Sequence, residues 1–161
     1  MSESAFLALI LTLSNDVNIL DNKKIFKSNK TLSIYNILNN IINKGYIVSS
    51  DYLKSYYLSI LKNIFPIYNF DMMTLINHYK LTKKFLIIKT INIDSKKNIQ
   101  FNPFITPNLN VIDAIVASSC CLLFIGSHKL NDINYIDGGF FRLKLNSKSM
   151  QKLNINTNQT M

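Results

Sequence analysis

Apolar positions recur along this chain with two different periods, and the change between them divides it. From Ala5 to Leu13, "AFLALILTL" is hydrophobic nearly all round, which predicts a helix buried on several sides. After the polar "SNDVNILDNKK", residues Leu32, Tyr35, Leu38, Ile41 and Ile42 return at helical spacing and Gly45 supplies a stop, so an amphipathic helix is expected there. A third helix is expected from a cap at Ser49, Ser50 or Asp51. Leu53, Tyr56, Tyr57, Ile60, Leu61 and Ile64 form its apolar face, and Pro66 ends it. Met72, Leu75, Ile76 and Tyr79 mark a shorter fourth helix.

The period then changes. "KFLIIKTINI", Lys84 to Ile93, is rich in β-branched residues and predicts a core strand, and the polar turn "DSKKN" separates it from a second strand at Ile99 to Asn102. "VIDAIVASSCC" from Val111 reads as a buried helix, because Val111, Ala114, Ile115 and Ser118 share a face. "DINYIDGG" reads as a short strand that delivers Asp137 to a tight turn. Helices and strands in alternation indicate an α/β layered domain, expected over residues 1–142. The polar tail, 143–161, is expected to fray.

Composition narrows the function classes. A chain of 161 residues holds one domain with a real core, and 48% hydrophobic against 17% charged residues excludes a disordered chain. The formal charge of +9 favours anionic surfaces. The lysines are scattered, however, with no arginine-rich helix and no zinc-finger spacing, so a solvated basic face is expected and nucleic acid is not. The wealth of Asn, Ile and Lys is that of AT-rich coding DNA, which suggests a large DNA virus as the source. Adjacent Cys120 and Cys121 have poor geometry for a disulfide and are too few for a zinc site, so reduced thiols and an intracellular location (host cytoplasm for a viral protein) are expected. The apolar run at the start is far shorter than the roughly 20 residues of a membrane span.

Two of the four glycines, Gly138 and Gly139, sit side by side behind Asp137. Read alone, Asp-Gly-Gly is an ordinary turn with a solvated carboxylate, and Ser2 or Ser4 is an ordinary cap of a buried helix. Read in order, the segments resemble the patatin-like phospholipase family. "SESAFLALILTL" resembles the segment that begins at that family's nucleophile. "NKGYIVSSDYLKSYYLSIL" and "YKLTKKFLII" resemble its middle helix and the lead into its next core strand. "VIDAIVASSCCLLF" resembles the helix before its serine-rich turn, with Cys121 where proline is usual. "INYIDGG" resembles its late Asp-Gly-Gly.

The resemblance implies a partial three-layer α/β/α sandwich and a Ser–Asp dyad. Ser2 would be the nucleophile and Asp137 its proton acceptor; Glu3 and Ser4 would complete the elbow, and Gly138 and Gly139 would hold the carboxylate in place without a Cβ intruding on substrate. The dyad calls for no cofactor and no metal, and it demands neither His78 nor His128. The implied substrate is a phospholipid or acylglycerol met at a membrane surface. Because the likeness starts at the nucleophile, the family's upstream strand and glycine-rich oxyanion loop are expected to be missing, with Met1 in the first elbow glycine's place. An incomplete sheet would then expose an edge open to self-association. A catalytically silent remnant that binds lipid or a partner subunit is the competing reading. A third, in which removal of Met1 frees Ser2 as an N-terminal nucleophile, rests on that residue alone.

Overall fold

The computed structural model describes residues 3–14, 33–121 and 124–139. Ser2 and the tail 143–161 lie outside them. Four helices come first: α1 (Glu3–Ser14), α2 (Ile34–Lys44), α3 (Ser50–Ile64) and α4 (Leu75–Thr82). The hairpin β1 (Ile88–Asn92) and β2 (Lys97–Phe101) follows, then α5 (Val111–Ser119), and the hairpin β3 (His128–Leu130) and β4 (Ile133–Asp137). The class is mixed α/β, as expected from the sequence, but helices and strands do not alternate one for one.

The strands form one four-stranded sheet in the order β2-β1-β4-β3. Every pairing in it is antiparallel. Register fixes the faces: Thr90 lies opposite Asp137 and His128 opposite Tyr135, so these residues share one side of the sheet. The rings of Phe101 and Tyr135 meet on that side at 5.3 Å. Helix α5 covers it, buried from Val111 to Ser118 except at Asp113.

Local chemistry explains each boundary. Ser49 accepts from the Tyr52 N–H to start α3, and Thr74 accepts from the Asn77 N–H to start α4. Gly45 ends α2 at φ 73°, where a side chain is disfavoured. Asn131 and Asp132, at φ 47° and 64°, form the two-residue turn between β3 and β4, since positive φ at both positions matches the strands' twist. Asn110 does most. Its Oδ1 caps α5 by accepting from Ile112 and Asp113, while its Nδ2 donates to the Phe70 and Asp71 carbonyls.

Helix α1 buries one face, Phe6, Leu9, Ile10 and Leu13, in the common core with Tyr57, Ile60 and Leu61 of α3, while Leu7 and Leu11 on its other side are half-buried. Two sequence expectations need correction. The paired part of the first strand is shorter than Lys84 to Ile93, because Lys84 to Ile87 runs unpaired ahead of β1. Met72 is exposed, and the inward positions of α4 are Leu75 and His78. The apolar face of α2 exists but stays open, with Leu38, Ile41 and Ile42 all exposed.

Candidate functional site

Asp137 ends β4, an inner strand of the sheet. Its backbone is gripped from both sides. The Asp137 N–H donates to the Cys120 carbonyl at 2.7 Å, just beyond the end of α5, while Thr90 is its partner on β1. The buried Thr90 hydroxyl donates to the Ile136 carbonyl at 2.6 Å, with the Ala117 carbonyl 3.4 Å away. One side chain thus ties the residue before Asp137 to both neighbouring elements. The half-buried Asp137 carboxylate accepts from the Gly139 N–H at 2.8 Å, closing a short turn on itself.

The turn at the glycine pair uses no left-handed backbone. Positive φ among the described glycines belongs to Gly45 and Gly126 and not to this pair. Gly138 supplies room: a Cβ there would stand 3.2 Å from the Lys89 carbonyl carbon and oxygen and 3.4 Å from the Thr90 amide nitrogen. A Cβ on Gly139 would meet chiefly the Asp137 carboxylate, 3.4 Å away. Gly138 therefore lets the end of β4 lie against the β1 backbone.

The neighbouring Cys120 thiol is not a reactive partner for this acid. Burial pushes the Cys120 thiol up to about 12, helped by Cys121 and by the negative charge of Asp137. A thiol held protonated is a poor nucleophile.

Glu3 is the first residue of α1, and Ser4, the second, is exposed. Helix α1 is joined to the acid's surroundings by a run of contacts. Phe6 stacks on Tyr57 with ring centroids 4.1 Å apart, the Tyr57 hydroxyl donates to the Ser119 hydroxyl at 3.3 Å, and Ser119 precedes the Cys120 whose carbonyl holds Asp137. At the other end of α1, Thr12 Oγ1 lies 2.9 Å from His78 Nε2 on α4. Phe6, near the start of the helix, is thus linked through Tyr57 and Ser119 to the residue that holds Asp137, and Thr12 is linked to α4.

A second polar cluster escaped the sequence reading. Asp113 Oδ1 lies 2.7 Å from Lys54 Nζ and 3.1 Å from Nε2 of buried His128, tying α3, α5 and β3 together. Burial alone would raise the Asp113 carboxyl, but the hydrogen bonds from His128 and Lys54 outweigh it and hold the group below its ordinary range. Thr90 escaped as well; its one signal is a hydroxyl residue two positions from Ile88, on the same inward face of β1. Among the described residues no set of His, Cys, Asp and Glu could hold a metal ion, and no helix is long and apolar enough to cross a membrane.

The family model for patatin-like phospholipase matches residues 4–143. Asp137, Gly138 and Gly139 fall inside the match; Ser2 and Glu3 lie just before it. No curated protein and no solved structure matches the chain. A family match that takes in α1 from Ser4, the four strands among the described residues and the Asp-Gly-Gly turn covers most of the molecule, and the chain belongs to the patatin-like phospholipase family, whose activity is lipid acyl hydrolysis.

Proposed function

We propose that this chain hydrolyses an acyl ester of a phospholipid or acylglycerol with Ser2 as nucleophile and Asp137 as general base. The Ser2 hydroxyl attacks the carbonyl carbon while Asp137 takes its proton. Collapse of the tetrahedral intermediate breaks the ester C–O bond, and the same proton passes to the departing alkoxide. Asp137 then accepts a proton from the water that attacks the acyl-serine, and Ser2 regains its hydrogen as fatty acid leaves. Free N–H groups in the first turn of α1 would face the developing oxyanion.

The observation that carries this reading is the seat of Asp137, on an inner strand and held by Cys120, Thr90 and Gly138, with a run of contacts through Ser119 and Tyr57 to Phe6 of α1. Ser2 lies four positions before Phe6 in the sequence. The test is a fluorogenic acyl ester assay on the purified chain beside Ser2→Ala and Asp137→Ala. Loss in both variants is expected. Equal rates for all three proteins would remove the dyad and favour the competing reading, a patatin-like chain that binds lipid or a partner without catalysis. The start of the family match at residue 4, beyond Ser2, is the observation on that side.

A further inference from the structure

An exposed aromatic patch lies on α4, the segment leading into β1 and the turn after β2. Phe85 is 44% exposed and Phe104 67% exposed, yet neither hangs loose. Their rings stack with centroids 5.3 Å apart, and Tyr79 of α4 meets both edge-on, at 6.2 and 5.5 Å. The turn that presents Phe104 and its exposed neighbour Ile105 is fixed by buried Asn102, whose side-chain oxygen accepts from both of their N–H groups at 3.0 Å. Large apolar side chains held rigidly outward mark a surface meant to be covered.

The segment leading into β1 alternates in and out. Leu86 and Ile88 are buried, whereas Lys83, Phe85, Ile87 and Lys89 are exposed, so two apolar residues stand between two lysines. Lys80 and Leu81 are also exposed at the end of α4. The charge is one-sided. No acid occurs between Asp71 and Asp94, nor between Asp94 and Asp113, the two stretches that carry this patch. Among the described residues, Lys80, Lys83 and Lys89 take part in no ion pair.

We infer that this patch, Phe85, Ile87, Phe104 and Ile105 framed by Lys80, Lys83 and Lys89, docks the protein onto an anionic membrane surface. Aromatic rings settle at the headgroup level, aliphatic side chains enter the acyl boundary, and lysines keep their ammonium groups among anionic headgroups while burying their stems. Single-stranded nucleic acid would also meet lysines and rings, but it stacks on aromatic faces and gains little from Leu81, Ile87 and Ile105. The aliphatic share favours lipid. The inference rests on the lipid reading above for the kind of surface, and not on catalysis.

The test is co-sedimentation of the full chain with phosphatidylcholine vesicles containing or lacking phosphatidylserine, beside hydrolysis of a soluble short-chain ester. Phosphatidylserine should tighten binding at least about tenfold, as a few surface lysines would provide. Phe85→Ala with Phe104→Ala should weaken it by about tenfold or more, because both rings lose their insertion. Lys83→Glu with Lys89→Glu should abolish the preference for phosphatidylserine. If the phenylalanine pair variant melts early, Ile87→Asp with Ile105→Asp makes the same cut at two other exposed positions. Vesicle binding unchanged in a folded patch variant, or binding of a single-stranded oligonucleotide lost in these variants while vesicles are ignored, would overturn the inference. Soluble-ester hydrolysis without vesicle binding removes the docking surface and keeps the hydrolase; vesicle binding without hydrolysis does the reverse.

Discussion

Thr12 Oγ1 and His78 Nε2 lie 2.9 Å apart, joining the last turn of α1 to the middle of α4. The Thr12 proton is already given to the Leu9 carbonyl at 2.8 Å, so the Thr12 oxygen accepts from His78 Nε2–H. The other ring nitrogen, Nδ1, is buried without a hydrogen-bond partner. A second proton would have to go there. Burial, with Lys84 adding to it, lowers the His78 pKa to about 4.

Acid should therefore loosen this junction. Between about 4 and the ordinary 6.5, the unfolded chain binds a proton that the folded chain excludes. The contribution is complete above 6.5 and is lost as pH falls towards 4, on the order of 3 kcal/mol in all. Urea midpoints at neutral and mildly acid pH should show the fall, and His78→Gln should make it shallower.

Asp137→Asn separates fold from chemistry. The amide oxygen can still accept from the Gly139 N–H, so thermal stability should change by less than about 1 kcal/mol. An amide takes no proton from a serine, and ester hydrolysis should fall by roughly a hundredfold or more. A melt and a rate measured on the same preparation check both.

The two glycines should respond differently to alanine. Gly138→Ala pushes a methyl group against the Lys89 backbone and should cost about 1–3 kcal/mol, as overpacking does. Gly139→Ala meets only the carboxylate and should cost under about 1 kcal/mol while disturbing hydrolysis. Denaturant titrations of the two variants give the comparison directly.

Removing the Asn110 side chain should destabilise the protein by about 2 kcal/mol or more, since a helix cap and two further hydrogen bonds go together. Hydrogen exchange should quicken first around Met73 and Leu75, whose backbone groups bond across to Val111 and Leu109.

Much of this was legible in the chain itself. The all-round apolar start required a buried helix, and β-branched residues announced the strand at β1. The resemblance ran in the right order to Asp137. What escaped depended on contacts distant in sequence. "SHKLND" carries no strand alternation, so β3 becomes visible only once the Asn131–Asp132 turn folds it onto β4. The need for Gly138 comes from a β1 backbone that lies far away in the chain. The contact of His78 depends on α1, and Lys54, Asp113 and His128 meet only when three elements pack.

The inner position of β4 also bears on biosynthesis. The β1–β2 hairpin emerges from the ribosome well before its other neighbour, and its free edge waits until Ile133–Asp137 has been translated. A nonsense codon anywhere between α5 and Asp137 would release a nascent chain with that edge unguarded, so such alleles should yield aggregates or proteolytic debris rather than a shortened folded protein.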